Sequence, residues 1–240
     1  MDSLVQQAEA AHRRGDLDAA KRLYTQQLSA DSQQVDALYG LGTLLMQAQQ
    51  FSEAEPLLSM ALALEPDAAD IAYNYAICLR SKGDNSSAAE LAERAGRSGG
   101  MDEPFSANVC NLLLALNKPQ LVLTQLDSFP HRSQASHLLR AQAFGLLGAW
   151  DRSVALLRQL LQADSTNAEV AQALALAAGR LRDYDLAIKT YELYLGLITP
   201  GAAEFVKFAD LFLLARKVDQ CETYVQYARE AGAETTEFYL

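Results

Sequence analysis

The chain has 240 residues, half of them hydrophobic and 21% charged, with 13 Gly and 6 Pro. That is enough apolar material for a sizeable core and too little low-complexity sequence for a disordered chain. Its formal net charge of −10 repels phosphate backbones, which argues against nucleic acid as a partner and for a neutral to basic protein or peptide.

The elements repeat. In residues 1–34, Ala8 and Ala20 flank the turn Gly15-Asp16-Leu17, and Tyr24 follows. Thirty-four positions on, Gly42, Gln49 and Ala54 hold the same places; Ala76, Gly83 and Ala88 follow in residues 69–102, then Cys110, Asn117 and Val122 in residues 103–133. Three in-phase series at one period mark a repeat array. Residues 35–68 show its content best. Val35 to Gln47 predicts an amphipathic helix with Leu38, Leu41, Leu44 and Leu45 on one face. Phe51-Ser52-Glu53 opens a second, carrying Ala54, Leu57, Leu58, Ala61 and Leu62 inward, and Pro66 ends it.

The phase slips once. From Val122 to Ser153 the step is only thirty-one, so three residues are lost around 127–133, where Pro130 disfavours helix. Residues 134–167 resume with Ala141, Gly148 and Ser153; residues 168–201 carry Ala175, Asp183-Tyr184-Asp185, Ala187 and Tyr191; residues 202–235 carry Ala209 and Cys221. Asn117-Lys118-Pro119 replaces the usual turn in 103–133, so that helix pair is expected to be shorter or rotated. Gly42 and Ala54 let two antiparallel helices approach closely while leucines fill the flanks. No helix pair can bury its face alone, so seven pairs stack into one all-α solenoid spanning 1–240.

These residues resemble the tetratricopeptide repeat family, whose unit is also thirty-four residues. Residues 35–68 match best, through Leu38, Leu41-Gly42, Leu45, Ala54, Leu58, Ala61 and Pro66. The resemblance implies a right-handed superhelix whose first helices line a concave groove that binds polypeptide without catalysis. The family's clamp for a chaperone's terminal carboxylate is expected to be absent, because Val5, Tyr39 and Tyr73 stand where Lys would be wanted, beside Asp36 and Asp70.

In that register the expected peptide-binding residues are Tyr39, Thr43, Met46, Tyr73, Asn74, Ile77, Asn108, Asn111, Leu138 and Gln142. Glu9, His12, Arg13, Gly40, Gln47, Arg80, Glu169, Gln172, Leu176 and Arg180 fall on the same side. Asn74 and Asn108 share one register position. A side-chain amide can donate to and accept from a peptide backbone at once, so stacked Asn suits sequence-tolerant binding of an extended chain. The alternative is plain solvent-exposed Asn. Tyr39 and Tyr73 offer interface aromatics, or else seal neighbouring repeats.

Nothing in the sequence supplies chemistry. No glycine-rich phosphate loop, nucleophile elbow or HExxH occurs, and His131 with His137 lacks further ligands at metal spacing. No cofactor, metal or enzymatic activity is expected. Cys78, Cys110 and Cys221 are expected to be buried thiols, and their sparse use points to a reducing compartment. With no run of roughly 18 apolar residues and no secretory signal at Met1-Asp2-Ser3-Leu4, the cytoplasm is expected and the membrane is not. The expected function is a non-catalytic protein-interaction module. One alternative is the substrate-docking arm of a larger enzyme such as a protein glycosyltransferase or sulfotransferase, prompted by the apolar finish Phe238-Tyr239-Leu240. Another is a self-associating scaffold, prompted by Phe205, Phe208, Phe212, Leu213 and Leu214 in the C-terminal repeat.

Overall fold

The computed structural model describes residues 3–98, 103–128 and 133–233. Among them there are fourteen helices and no strand. They fall into two compact units divided at Phe129–Pro130, inside the segment where the repeat phase slips. The expectations placed on Pro130, His131 and Phe238-Tyr239-Leu240 lie outside the described residues.

The first unit holds α1 (Leu4–Arg13), α2 (Leu17–Ala30), α3 (Val35–Gln47), α4 (Phe51–Leu64), α5 (Ala69–Ser81), α6 (Asn85–Arg97), α7 (Glu103–Ala115) and α8 (Pro119–Ser128). The second holds α9 (Gln134–Leu146), α10 (Trp150–Ala163), α11 (Ala168–Arg180), α12 (Tyr184–Leu197), α13 (Ala202–Leu214) and α14 (Val218–Glu230). Odd and even helices pair as hairpins, and within each unit a hairpin packs its second helix on the first helix of the next. The fold is an all-α repeat solenoid. In its fourth pair α8 is described over Pro119–Ser128, and the expected shortening at Asn117-Lys118-Pro119 turns on the residues after Ser128, which lie outside the described ones.

The turn series explains the period. Gly15, Gln49, Gly83, Asn117, Gly148, Arg182 and Arg216 all have positive φ, between 55° and 90°. At each, the backbone N–H bonds the carbonyl three residues back, and the following N–H bonds the carbonyl five residues back, as in Gln49 to Met46 (2.9 Å) and Gln50 to Leu45 (2.8 Å). This is the Schellman closure, which satisfies the orphan carbonyls of the first helix. The next residue starts the second helix at once, and Asp16, Asp84 and Asp183 cap it through the side chain. A left-handed conformation costs a residue with Cβ roughly 1–2 kcal/mol, partly offset by the greater freedom glycine loses on folding. Arg182→Gly is therefore expected to stabilise the second unit by about 0.5–1 kcal/mol. Trp150, the single tryptophan, lies in that unit, so its emission during urea unfolding is the readout. A lowered midpoint would remove the strain argument.

The small-residue slots are buried as expected, in the first helices at Ala8, Gly42, Ala76 and Cys110 and in the second at Ala20, Ala54, Ala88 and Val122. A Cβ on Gly42 would stand 2.9 Å from Leu58 Cγ, which is why no larger residue fits. Cys78 and Cys110 are buried, but Cys221 is partly exposed, because no described helix follows α14 to cover it. The aromatic excess of the C-terminal repeat is largely consumed within the second unit. Phe208 is fully buried, stacks on Tyr191 at 5.0 Å and meets Phe212 at 4.8 Å and Tyr224 at 4.5 Å. Phe205 packs against Tyr224 and Tyr227, so only Leu213 and Leu214 of that set remain exposed.

One junction departs from the repeat. Gln125 on α8 stands where α2, α4 and α6 carry Leu23, Leu57 and Leu91, and Gly96 on α6 stands where α2 and α4 carry Leu28 and Leu62. Both are buried, and Gln125 Nε2 donates to the Gly96 carbonyl at 3.1 Å and to Ser106 Oγ at 3.4 Å. The missing side chain at 96 makes room for the amide at 125.

Candidate functional site

In the first unit the odd helices share one face and carry two open cavities. The larger, about 540 Å³, is walled by Glu9, His12 and Arg13 of α1, Asp36, Tyr39, Gly40, Thr43 and Gln47 of α3, and Asp70 of α5. Tyr24 of α2 closes its floor. The smaller, about 200 Å³, lies between α5 and α7 and is lined by Tyr73, Ile77, Arg80, Asn108, Asn111 and Leu112. The second unit has one of about 780 Å³ on α9, α11, α12 and α13, where Gln142, Gln172, Leu176, Arg180, Lys207, Asp210 and Leu214 contribute.

The structure thus gathers most of the expected residues into cavities: Tyr39 and Thr43 in one, Tyr73, Ile77, Asn108 and Asn111 in another, and Gln142 in the third. Three lie elsewhere. Leu138 is 9% exposed and belongs to the core of the second unit, since without a polar tip it packs downward where Tyr39 and Tyr73 reach outward. Met46 packs against the core of the first unit. Asn74 lines none of the three cavities. Its Nδ2 donates to Tyr39 Oη at 2.7 Å and to the Asp70 carbonyl at 3.0 Å, so its donor capacity goes into fixing Tyr39. Asn108 and Asn111 remain exposed.

The cavities differ in chemistry. In the 540 Å³ cavity three carboxylates, Glu9, Asp36 and Asp70, face one guanidinium, Arg13, and none of the four is in an ion pair among the described residues. His12 Nε2 shares a hydrogen bond with Gln47 Oε1 at 3.1 Å. Burial, then the Asp70 carboxylate, push the Tyr39 phenol up to about 12, against the opposing hydrogen bond from Asn74. Burial and the charges of Glu9 and Asp36 raise that of Tyr24, while Arg13 acts the other way. The 780 Å³ cavity is apolar by contrast. Leu176 is 60% exposed and Leu214 58%, with Ala173, Gly179 and Leu211 between them and Glu169, Arg180, Lys207 and Asp210 around them. Burial raises the Asp210 carboxyl above its ordinary range. Among the described residues no group of three or more His, Cys, Asp or Glu side chains is placed to hold a metal ion, and no helix is long and apolar enough to cross a membrane.

Sequence reasoning missed the part played by Tyr24, which sits on a second helix and read only as a repeat-forming aromatic. The available signal was Gly40. It occupies the register position of Asn74 and Asn108, and a Cβ there would stand 2.4 Å from Tyr24 Cζ.

The comparisons with known proteins agree with this architecture. A model of the tetratricopeptide repeat matches residues 11–67 and 45–107. A tetratricopeptide repeat protein from Parabacteroides merdae has a similar structure at a TM-score of 0.71 and 15% identity, covering 98% of this chain and 94% of that one. The C-terminal part of a repeat-containing protein from Cytophaga hutchinsonii gives 0.72 and 12%, covering 97% of each chain. YrrB, described as a repeat protein with an unusual peptide-binding site, gives 0.60 and 16%, covering 81% of this chain and 97% of its own. At such identities the likeness is one of fold. No curated protein matches the sequence significantly. With the period and the helix pairs, these findings support a tetratricopeptide repeat family, the repeat model itself spanning residues 11–107. That fold supports a protein–protein interaction module.

Proposed function

We propose that the chain is a non-catalytic adaptor, acting in the cytoplasm, that binds a segment of a partner polypeptide along the odd-helix faces of its two units. The observation that carries this reading is the set of open cavities on those faces, into which seven of the ten residues expected from register fall. Exposed Asn108 and Asn111 offer backbone-directed hydrogen bonding beside Tyr73 and Ile77. The net charge of −10 suits a neutral to basic partner.

The test is photocrosslinking in cells. A benzophenone amino acid at Thr43 or Asn111 is expected to capture one partner, and the same probe at Glu90, exposed on α6, is expected to capture none. Replacing Thr43, Asn108 and Asn111 together with Ala should lower affinity for that partner by tenfold or more with helicity unchanged. Equal capture from Glu90, or undiminished affinity, would sink the reading. Self-association through α14 has less support. Glu222 and Arg229 stand there at the positions where α12 carries Ile188 and Leu195, which pack in the aromatic cluster of the second unit.

A further inference from the structure

Tyr24 is 2% exposed, yet no group among the described residues hydrogen-bonds its hydroxyl. The ring is buried while the hydroxyl oxygen reaches the open cavity, so it can still take a hydrogen bond from outside the chain, as Tyr hydroxyls usually do. The ring rises from α2 between α1 and α3, edge-on to His12 at 6.4 Å between centroids. It passes beneath Gly40: the hydroxyl oxygen lies 2.7 Å from the place a Cβ at 40 would take. Any other residue at 40 would close this opening, and the two later repeats of the first unit have Asn74 and Asn108 there.

The second unit provides an internal comparison. Tyr191 holds the register position of Tyr24 and also lines a cavity, but its hydroxyl donates to the Glu204 carbonyl at 3.2 Å. Lys207 occupies the position of Gly40 there. Of the two tyrosines, only Tyr24 has a hydroxyl with no hydrogen-bond partner among the described residues. Around it stand Glu9, Asp36 and Asp70 against Arg13 alone, with Tyr39 held by Asn74 as a fixed aromatic wall.

We infer that the cavity between α1 and α3 is a pocket for one basic side chain, lysine or arginine, of the bound polypeptide, with Tyr24 Oη accepting a hydrogen bond from the cation at the floor. Glu9, Asp36 and Asp70 balance its charge, and the Tyr39 ring lies against its stem or its cationic face. An acceptor set of phenol and carboxylate oxygens matches a group that only donates. This inference rests on the adaptor reading above and adds which side chain the site selects.

The experiment is a selection from a library of random twelve-residue peptides on the full chain, followed by affinity measurements on the selected peptides. They are expected to share one Lys or Arg whose replacement by norleucine or citrulline weakens binding about tenfold. Tyr24→Phe keeps the ring and its packing and should cost about the same factor. Glu9→Gln with Asp36→Asn alters exposed or half-buried surface groups; it should lower affinity at low salt, and that loss should shrink as salt rises. Neither variant should penalise the norleucine or citrulline peptides. Peptides that bind without a basic residue, or that bind both variants as tightly as the parent, would overturn the pocket and leave the adaptor reading standing. A selection that yields no binding peptide would overturn both.

Discussion

Phe208→Ala is expected to destabilise the second unit by about 3–5 kcal/mol, the range for removing a large aromatic from a packed core. Phe208 is fully buried on α13 and is the hub of the aromatic cluster. It joins Tyr191 of α12 to Phe212 of its own helix and Tyr224 of α14. Truncation leaves a cavity between three helices whose rings are held by one another, so collapse around it is limited. Such a loss is a large part of the stability of a domain this size. The measurement is urea denaturation followed by Trp150 emission, which reports on the second unit. A midpoint unchanged from the parent would show that the cluster is ornament to the leucine and alanine core rather than part of it.

Gly96→Ala carries the second large effect, and its sign is not obvious from helix propensity. Alanine in a helix interior is favoured over glycine by about 1 kcal/mol, so an exposed site would gain. Here the new Cβ would stand 2.4 Å from Gln125 Oε1 and 2.8 Å from its Cδ. The amide must then leave the Gly96 carbonyl, and a buried amide without its partner costs about 1–3 kcal/mol on top of overpacking. A net loss of roughly 2 kcal/mol is expected. Gln125→Ala in the same chain removes the obstacle, so the double variant should be more stable than the sum of the single effects predicts. Additive losses would mean that the two residues do not share the site. The readout is circular dichroism at the helical band, since tryptophan is absent from the first unit.

What the sequence made legible follows from steric necessity. Where two helices cross at Gly42 and Leu58 there is no room for a side chain, so small residues recur and the period shows. The same holds at the turns. Gln49, Arg182 and Arg216 accept a left-handed conformation because the closure demands it, and register finds them even without glycine. The site was less legible because its chemistry depends on partners far along the chain. Asn74 read as a free amide until Tyr39, thirty-five positions away, took its donor. Leu138 shared a register position with Tyr39 and Tyr73, but register sets direction and not reach. Tyr24 stood on the helix that the groove reading ignored. Gln125 and Gly96 each looked like a lapse in the leucine pattern, and only their contact makes them a pair.

That pair has a consequence for how such an array can change over time. Repeat proteins gain and lose modules by recombination between similar segments, and a stretch bounded at the turns can be copied or deleted with its hairpins intact. The junction of α6 with α8 resists this. Delete residues 69–102, and Gln125 would face Leu62, with no carbonyl it could reach past that side chain. Duplicate the same residues, and one copy of Gly96 would meet Leu91 of the other in place of the amide, leaving a void. The third and fourth repeats are therefore linked as neighbours. A lineage that reshuffled them would have to rewrite both halves of that lock at once.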